Sequence, residues 1–147
     1  MIRHLGGGFE LDDDPGRLDV DAIHAFISER SYWGRGRSRE RVVGTIEGSC
    51  RVVGLYLGDE QVGFARAISD GVTMAYLADV YVTEAHRGLG LGVALVREMI
   101  EGDGAPDVHW LLHTRDAQDL YERLGFRNGP IRYPLMERPR PSTTAAG

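Results

Sequence analysis

Hydrophobic residues recur at helical spacing in four stretches of this chain. Each stretch follows a residue that can begin a helix, and these residues are Asp19 or Asp21, Ser38, Gly88 and Asp116. The third stretch, residues 88–100, has Leu91, Leu95, Val96 and Met99 on one face. We therefore expect two helices early in the chain and two late ones.

The spacing changes to that of β-strands between the two pairs of helices. Residues 51–57, 62–68 and 72–82 are apolar runs of strand length, separated by the turn signals Gly58-Asp59 and Asp70-Gly71. Strands joined by such short turns lie side by side and run in opposite directions. This region predicts a three-stranded antiparallel meander.

Weaker strand signals lie on both sides of this meander. We expect a short strand at residues 9–11, a buried strand at 108–114, and two final strands that begin at Phe126 and Ile131. Residues 1–8 show no pattern and are expected to form an irregular lead-in.

The order of these elements indicates one α+β domain over residues 1–137. It would have three layers, α/β/α, with a mixed and mostly antiparallel sheet between the helices. Residues 138–147 contain prolines and small polar residues without an apolar pattern, so we expect them to form a flexible tail.

Composition and charge narrow the class of protein. The chain has 147 residues and a net charge of -5, which fits one domain and disfavours a nucleic-acid binder. Its only cysteine, Cys50, excludes an intrachain disulfide and suits a reducing cytoplasm, and we expect it to be packed rather than reactive. Without a membrane-length apolar run, a signal peptide or a metal-ligand pattern, we expect a cytoplasmic protein with no metal and no membrane partner.

The strongest chemical signal lies between the last meander strand and the third helix, in the segment Arg87-Gly88-Leu89-Gly90-Leu91-Gly92. Alternating glycines leave backbone N–H groups bare at a helix N-terminus, where the macrodipole attracts anions, and Arg87 adds a cation. One glycine is enough for a turn, whereas each further glycine in a helix costs about 1 kcal/mol relative to Ala. The spacing differs from the Walker and Rossmann patterns. The segment predicts a cradle for a pyrophosphate.

The pattern Arg87-x-x-Gly90-x-Gly92 resembles the acetyl-CoA signature of the GNAT superfamily of N-acetyltransferases. The preceding strand end, residues 79–82, and the helix at residues 117–126, with its tyrosine and terminal Gly-Phe, are also similar to that family. The order of elements agrees over residues 9–137. The resemblance implies the GNAT acyl-CoA N-acyltransferase fold, acetyl-CoA as cofactor and N-acetyltransferase activity.

The resemblance also implies how acetyl-CoA binds. Pantetheine would enter as an extra strand where two strands splay apart after Val82, and backbone groups of Tyr81 and Val82 would bond its amides. The pyrophosphate would lie on the N–H groups of Gly88, Leu89, Gly90, Leu91 and Gly92, beside Arg87.

Acyl transfer to an amine requires a proton acceptor for the ammonium, stabilisation of an oxyanion, and a proton donor for the departing thiolate. By resemblance the proton donor is Tyr121, although helical spacing also suits a core tyrosine. The strand backbone near Val80 and Tyr81 could stabilise the oxyanion.

The proton acceptor stays open. Some family members have a glutamate where this chain has Tyr76. Asp79 is the only carboxylate in its strand and resembles an acid of the polyamine-acetylating branch, where it would anchor or deprotonate an ammonium. It is equally a strand-end acid bound to backbone or arginine. His113 and water are the other candidates.

Substrate recognition in this family usually falls to the first two helices and the loop between them. That loop, residues 31–38, contains the candidate substrate-binding residues Tyr32, Trp33 and Arg37. Trp33 could stack on a substrate, and either Arg35 or Arg37 could hold a carboxylate or a CoA phosphate. Packing in the core is an equal alternative. Arg66 and Asp70 are expected to be structural or surface charges.

The favoured hypothesis is direct transfer of acetyl to the primary amine of a small molecule, either a small amine or an amino-acid-like compound, without a covalent enzyme intermediate. A protein lysine or N-terminus is the alternative acceptor, and a CoA-binding sensor without catalysis is the alternative class. A homodimer is common among small folds of this type, but no pattern in the chain identifies an interface.

Overall fold

The computed structural model describes residues 1–128 and 133–141. Within them the chain forms one six-stranded sheet in the order β1-β2-β3-β4-β5-β6. The strands are β1 (Ile2–His4), β2 (Phe9–Asp12), β3 (Arg51–Leu57), β4 (Glu60–Ser69), β5 (Met74–Val82) and β6 (His109–Leu111). The helices are α1 (Val20–Glu29), α2 (Arg39–Glu47), α3 (Leu91–Glu101) and α4 (Gln118–Glu122). All neighbouring strands are antiparallel except β5 and β6, which are parallel.

Helices cover both faces of this sheet, as predicted. Val53 and Ala65 pack in the apolar cluster that contains α3, whereas Val52 and Phe64 pack with α1 and α2. Consecutive strand residues point to opposite faces, so neighbouring positions in β3 and β4 serve separate cores. The fold is the α/β/α arrangement with a mixed, mostly antiparallel sheet.

The capping residues of the early helices explain where these helices begin. The Asp19 carboxylate accepts from the Ala22 N–H at 3.0 Å, which identifies Asp19 rather than Asp21 as the cap of α1. The Ser38 hydroxyl accepts from the Arg41 N–H at 3.2 Å and caps α2, as predicted.

The prediction of an irregular lead-in is wrong. Residues Ile2–His4 form β1, which pairs antiparallel with β2 from Ile2 opposite Asp12 to His4 opposite Glu10. All three β1 residues are exposed. They pair through the backbone without a buried face, so no hydrophobic alternation marks them in the sequence.

The strand predicted at 108–114 is shorter and less buried than expected. β6 contains only His109–Leu111, and both of its end residues are exposed. The predicted strand at Phe126 is also wrong, because Gly125 adopts a φ of 88° and the Phe126 N–H donates back to the Tyr121 carbonyl at 3.1 Å. This bond completes the end of α4 instead of starting a strand.

The rest of the predicted C-terminal structure is described only in part. Residues 133–136 are exposed and belong to no strand, while Ile131 and Arg132 lie outside the described residues. Of the predicted tail, residues 138–141 are exposed and the remainder is outside the described residues. Cys50, between the end of α2 and the start of β3, is exposed rather than packed.

A β-bulge interrupts β5 at Asp79. Phe64 pairs with Tyr81 but Arg66 pairs with Ala78, so two steps along β4 match three along β5. Asp79 has a φ of 52° and is the one non-glycine residue in the described ranges with a positive φ. Because of this extra residue, each side chain after the bulge points to the face opposite to the one it would occupy in an unbroken strand.

The packing of β5 shows this exchange of faces. Leu77 belongs to the cluster around α3, and beyond the bulge Val80 and Val82 pack against that same cluster. Tyr81 instead lies in the cluster around α1 and α2. In an unbroken strand, Tyr81 would share the face of Leu77.

No helix among the described residues is long and apolar enough to cross a bilayer.

Candidate functional site

A cavity of about 930 Å³ lies where β5 and β6 separate. The two strands pair only as far as Tyr76 opposite Leu111, whereas β5 continues to Val82. The splay therefore begins after Tyr76 and not after Val82 as expected, because β6 is so short. The cavity brings together the predicted site residues Tyr32, Trp33, Arg37, Asp79, Tyr81, Val82, Arg87, Gly88, Gly90, Leu91, Gly92 and Tyr121. Leu89, which is 63% exposed, is not part of the cavity lining.

The free edge of β5 presents backbone groups to this cavity. The Thr83 N–H donates to the Val62 carbonyl at 2.8 Å, which fixes the alternation of this antiparallel pair. The backbone of Tyr81 then points toward β4, whereas the backbones of Val80 and Val82 point toward the gap. Arg87 Nε donates to the Val82 carbonyl at 3.1 Å. The register favours Val80 and Val82 over Tyr81 for backbone contacts with an extended ligand.

Two of the loop glycines are required by their backbone conformation. Gly88 and Gly90 have φ values of 80° and 76°, which side chains rarely adopt. A Cβ added at either would have nothing within 4 Å, so crowding by the protein does not explain them. Gly92 has a different role, because its added Cβ would lie 2.9 Å from Leu120 Cδ1 of α4.

The first turn of α3 is open to a ligand. The helix begins at Leu91, three residues later than predicted, and its N-cap Gly90 offers no side-chain hydrogen bond. The N–H groups of the first turn therefore remain available at the positive end of the helix. Together with the exposed Arg87, they fit a pyrophosphate.

Tyr121 contributes an unpaired hydroxyl to the cavity. It lies on α4, and its ring packs edge-to-face on Phe126 with centroids 5.7 Å apart. Burial raises the pKa of Tyr121 to about 12, and nearby Tyr32 adds to the shift. Its hydroxyl has no hydrogen-bond partner in the described part of the chain. The group is thus protonated at neutral pH and free to donate.

Asp79 is buried and both of its carboxylate oxygens are bonded. Oδ1 accepts from Trp33 Nε1 at 2.8 Å, and Oδ2 accepts from Arg37 Nη1 and from Arg66 Nε, each at 2.7 Å. Burial alone would raise the pKa of Asp79, but the two guanidinium groups outweigh it and hold the pKa below its usual value. The geometry matches the alternative in which this acid is bound to arginine.

Sequence reasoning missed Arg66 as a site residue. Its side chain is 10% exposed, pairs with Asp79 and lines the cavity, which excludes the expected surface charge and fits the expected structural one. A signal for it does exist, because Arg66 interrupts the apolar run of β4 between Ala65 and Ala67. A charge inside such a run is rarely buried without a partner.

The loop between α1 and α2 reaches across the cavity. The Tyr32 hydroxyl accepts from the Arg115 N–H at 2.8 Å, and the Arg115 guanidinium lies 3.9 Å from the Tyr32 ring centroid. Trp33 packs edge-to-face on Tyr32. The loop thereby joins the segment that follows β6 and forms a wall of the cavity.

Tyr76 and His113 form a second polar pair in the lining. The Tyr76 hydroxyl and His113 Nδ1 are 2.6 Å apart. Burial is the largest influence on Tyr76 and raises its pKa. The pair connects β5 to the chain just beyond β6, at the end of their pairing.

Comparison with known proteins settles the family. A family model described as an acetyltransferase (GNAT) domain matches residues 48–128. A Gibberella zeae protein named "Putative acetyltransferase FG08082" is 32% identical over 143 residues, and the match covers 83% of this chain and 81% of that protein. The chain belongs to the GNAT superfamily. The family predicted from the glycine loop and the Tyr121 helix is thus confirmed.

Solved structures agree with this GNAT assignment. A GNAT-family protein of Xanthomonas campestris pv. campestris has a TM-score of 0.82 and 35% identity, with 92% of this chain and 97% of that one covered. Arabidopsis thaliana NAA60, solved with a bisubstrate analogue, shares the fold at a TM-score of 0.63 and 20% identity, over 81% of this chain and 83% of that one. The predicted GNAT fold and N-acetyltransferase activity are both confirmed.

Proposed function

We propose that this GNAT acetyltransferase binds acetyl-CoA beside the free edge of β5 and transfers the acetyl group directly to the primary amine of a small molecule. The observation that carries the proposal is the shared cavity. It joins the glycine loop and the open backbone of β5 to the unpaired hydroxyl of Tyr121.

Residues at two places would hold acetyl-CoA, which supplies the acetyl group as a thioester. The first-turn N–H groups of α3 and Arg87 suit the pyrophosphate. The gap-facing backbone of Val80 and Val82 suits the amides of pantetheine, as an added strand would.

Tyr121 would hold the proton needed at the leaving sulfur. A phenol with a pKa of about 12 is almost fully protonated at neutral pH. Its hydroxyl needs to break no hydrogen bond within the described structure before it donates. The packing of the Tyr121 ring on Phe126 fixes the direction of the hydroxyl. The roles of core tyrosine and proton donor, both left open by the sequence, are therefore compatible.

The proton acceptor is better sought at His113 than at Asp79. Asp79 is ionised, but each of its oxygens already accepts a hydrogen bond and two arginines stabilise its charge. We assign it to positioning Trp33 and Arg37. His113 is exposed and oriented by Tyr76, so a ring nitrogen or an adjacent water can take the proton of the ammonium.

We favour a small acceptor because Tyr32 and Arg115 join the loop between α1 and α2 to the segment after β6 and form a wall of the cavity. The protein acceptor is the second candidate. Soybean "Histone acetyltransferase TAP1" is 30% identical over 128 residues, although this chain covers 54% of that protein. For the location we propose the cytoplasm, because the single exposed Cys50 suits a reducing compartment.

Calorimetric titration with acetyl-CoA, CoA, NAD and ATP tests the cofactor. We expect heat and thermal stabilisation with acetyl-CoA and CoA only. Thiol release with a panel of amines and with a histone peptide then tests catalysis. The chain contains no lysine, so acetylation of its own side-chain amines adds no background.

The outcomes separate the alternatives. No response to acetyl-CoA rejects the proposal. Binding without thiol release on any acceptor supports the CoA-binding sensor instead. Faster turnover of the peptide than of every small amine moves the acceptor to protein.

A further inference from the structure

We propose that the preferred acceptor carries a carboxylate as well as its amine, and that this carboxylate binds to Arg37 and Arg66. The inference rests on the proposed transfer to an amine. It adds the chemical class of the acceptor and a binding group for it.

The cavity is strongly cationic although the chain is acidic. Its described lining contains only two carboxylates, Asp79 and Asp116, against the six arginines Arg30, Arg37, Arg66, Arg87, Arg115 and Arg123. The chain as a whole carries a net charge of -5. The arginines are thus concentrated at this site, which indicates anionic ligands.

Part of this charge is already accounted for. Arg87 belongs to the cofactor loop, and Arg115 is paired with Asp116 at 3.1 Å. Four arginines then remain against Asp79, and two of these, Arg37 and Arg66, are buried beside it. The buried cluster of Asp79, Arg37 and Arg66 carries one net positive charge.

Several guanidinium N–H groups of Arg37 and Arg66 have no acceptor within the described structure. Asp79 accepts hydrogen bonds from Arg37 Nη1 and Arg66 Nε, and among the described residues Arg37 Nε is buried without a partner. Within the described structure, Arg37 Nη2 and both terminal nitrogens of Arg66 have no hydrogen-bond partner and are not among the fully buried unpaired atoms. Both side chains line the cavity, so these donors are open to it.

A carboxylate matches these donors better than other acceptor groups do. It supplies the missing negative charge and accepts more than one guanidinium N–H. An uncompensated buried cation is costly, so the ligand that neutralises it gains affinity. A second ammonium would be repelled, which argues against the polyamine acceptors that Asp79 alone suggested.

Two matched series of amines test the inference on the unmodified protein. One series is δ-aminovalerate, pentylamine and cadaverine, and the other is phenylalanine, phenylalaninamide and phenethylamine. We expect kcat/KM to be roughly 10- to 100-fold higher for the carboxylate member of at least one series, as two charged hydrogen bonds would give. Equal or lower kcat/KM for the carboxylate member of both series overturns the inference. Turnover of none of these amines, with acetyl-CoA bound, overturns the proposed function itself and the inference with it.

Variants locate the carboxylate. Arg66→Gln should raise KM for the carboxylate acceptor by roughly 10- to 100-fold, and KM for the matched amine that lacks the carboxylate much less. Arg66→Lys should recover part of the loss, and Arg97→Gln, at an exposed pair with Glu101, is the control. The Kd of acetyl-CoA should stay the same. If Arg66→Gln weakens acetyl-CoA binding as much as acceptor binding, the cluster serves a CoA phosphate and the inference is wrong.

Discussion

Trp33 donates its indole N–H to Asp79 across 2.8 Å and thereby ties the loop between α1 and α2 to the bulge of β5. The loop has no regular structure of its own, and the bulge holds Asp79 at a φ of 52°. Each irregular feature thus fixes the other. The contact shows how one buried acidic residue, bonded to Trp33, Arg37 and Arg66, holds one side of the cavity together.

Removal of the carboxylate should destabilise the fold. Asp79→Ala leaves Arg37 and Arg66 buried without their partner, and breaking a buried pair in this way costs about 3–5 kcal/mol. Urea unfolding measures the difference. Asp21→Ala, which removes an exposed ion pair with Arg39, is the control and should change the unfolding free energy by less than about 1 kcal/mol. Equal effects of the two changes would contradict the positioning role of Asp79.

The contribution of Asp79 should also depend on pH. Its pKa in the folded protein is below the usual value of 3.8, so the ionised form is the one that stabilises the fold. Stability from this group is fully present above that value and is lost as the pH falls toward the folded pKa. The stability gap between the wild type and Asp79→Asn should therefore be constant near neutral pH and shrink in acid below about pH 4. A stability gap that grows as the pH falls would show that the ionised form of Asp79 does not stabilise the fold.

Tyr121→Phe should slow the chemical step and leave cofactor binding unchanged. Loss of a proton donor lowers kcat by roughly 10²- to 10⁴-fold, while the ring still packs on Phe126. Tyr56→Phe is a matched control, because burial also raises the pKa of Tyr56 to about 12 but Tyr56 is not among the residues of this cavity. Stopped-flow rates and the Kd of acetyl-CoA separate the two effects. Equal loss of rate and affinity for Tyr121→Phe would remove its role as proton donor.

The glycine loop and the Tyr121 helix could be predicted because their signals are local. A helix start with three alternating glycines has few structural uses, and Gly88 and Gly90 do adopt positive φ. The cluster around Asp79 could not be predicted in this way. Its members are far apart in sequence, and the register shift between Phe64 and Arg66 that accompanies the bulge has no local pattern.

The sheet shows the same contrast. The meander of β3, β4 and β5 was predicted because each strand has a buried face and turns separate them. β1 was missed and β6 was overextended, because their residues are largely exposed and only pairing defines them. The early end of β6 leaves the rest of β5 unpaired on that edge and opens the cavity. The wrong length predicted for β6 therefore also misplaced the point where the two strands separate.

His113→Gln should lower kcat/KM most at low pH. If His113 or its water removes the proton from the ammonium, the variant depends on the small free-amine fraction. This fraction grows tenfold per pH unit, so the deficit should shrink as the pH approaches the pKa of the amine. His109→Gln, an exposed substitution on β6, is the control. A deficit that does not change with pH would assign His113 to structure alone.

Gly90→Val should strongly weaken acetyl-CoA binding in a protein that still folds. The valine side chain would occupy open space at the N-terminus of α3, where the pyrophosphate is proposed to lie. Gly71→Val is a close control, because Gly71 has a φ of 79° against 76° for Gly90 and also has nothing within 4 Å of an added Cβ. Both changes should cost about 1–2 kcal/mol of stability through the strained backbone. Only Gly90→Val should weaken acetyl-CoA binding, by more than about tenfold or 1.4 kcal/mol. If calorimetry shows equal affinities for the two variants, the glycines serve the turn and the cradle must lie elsewhere.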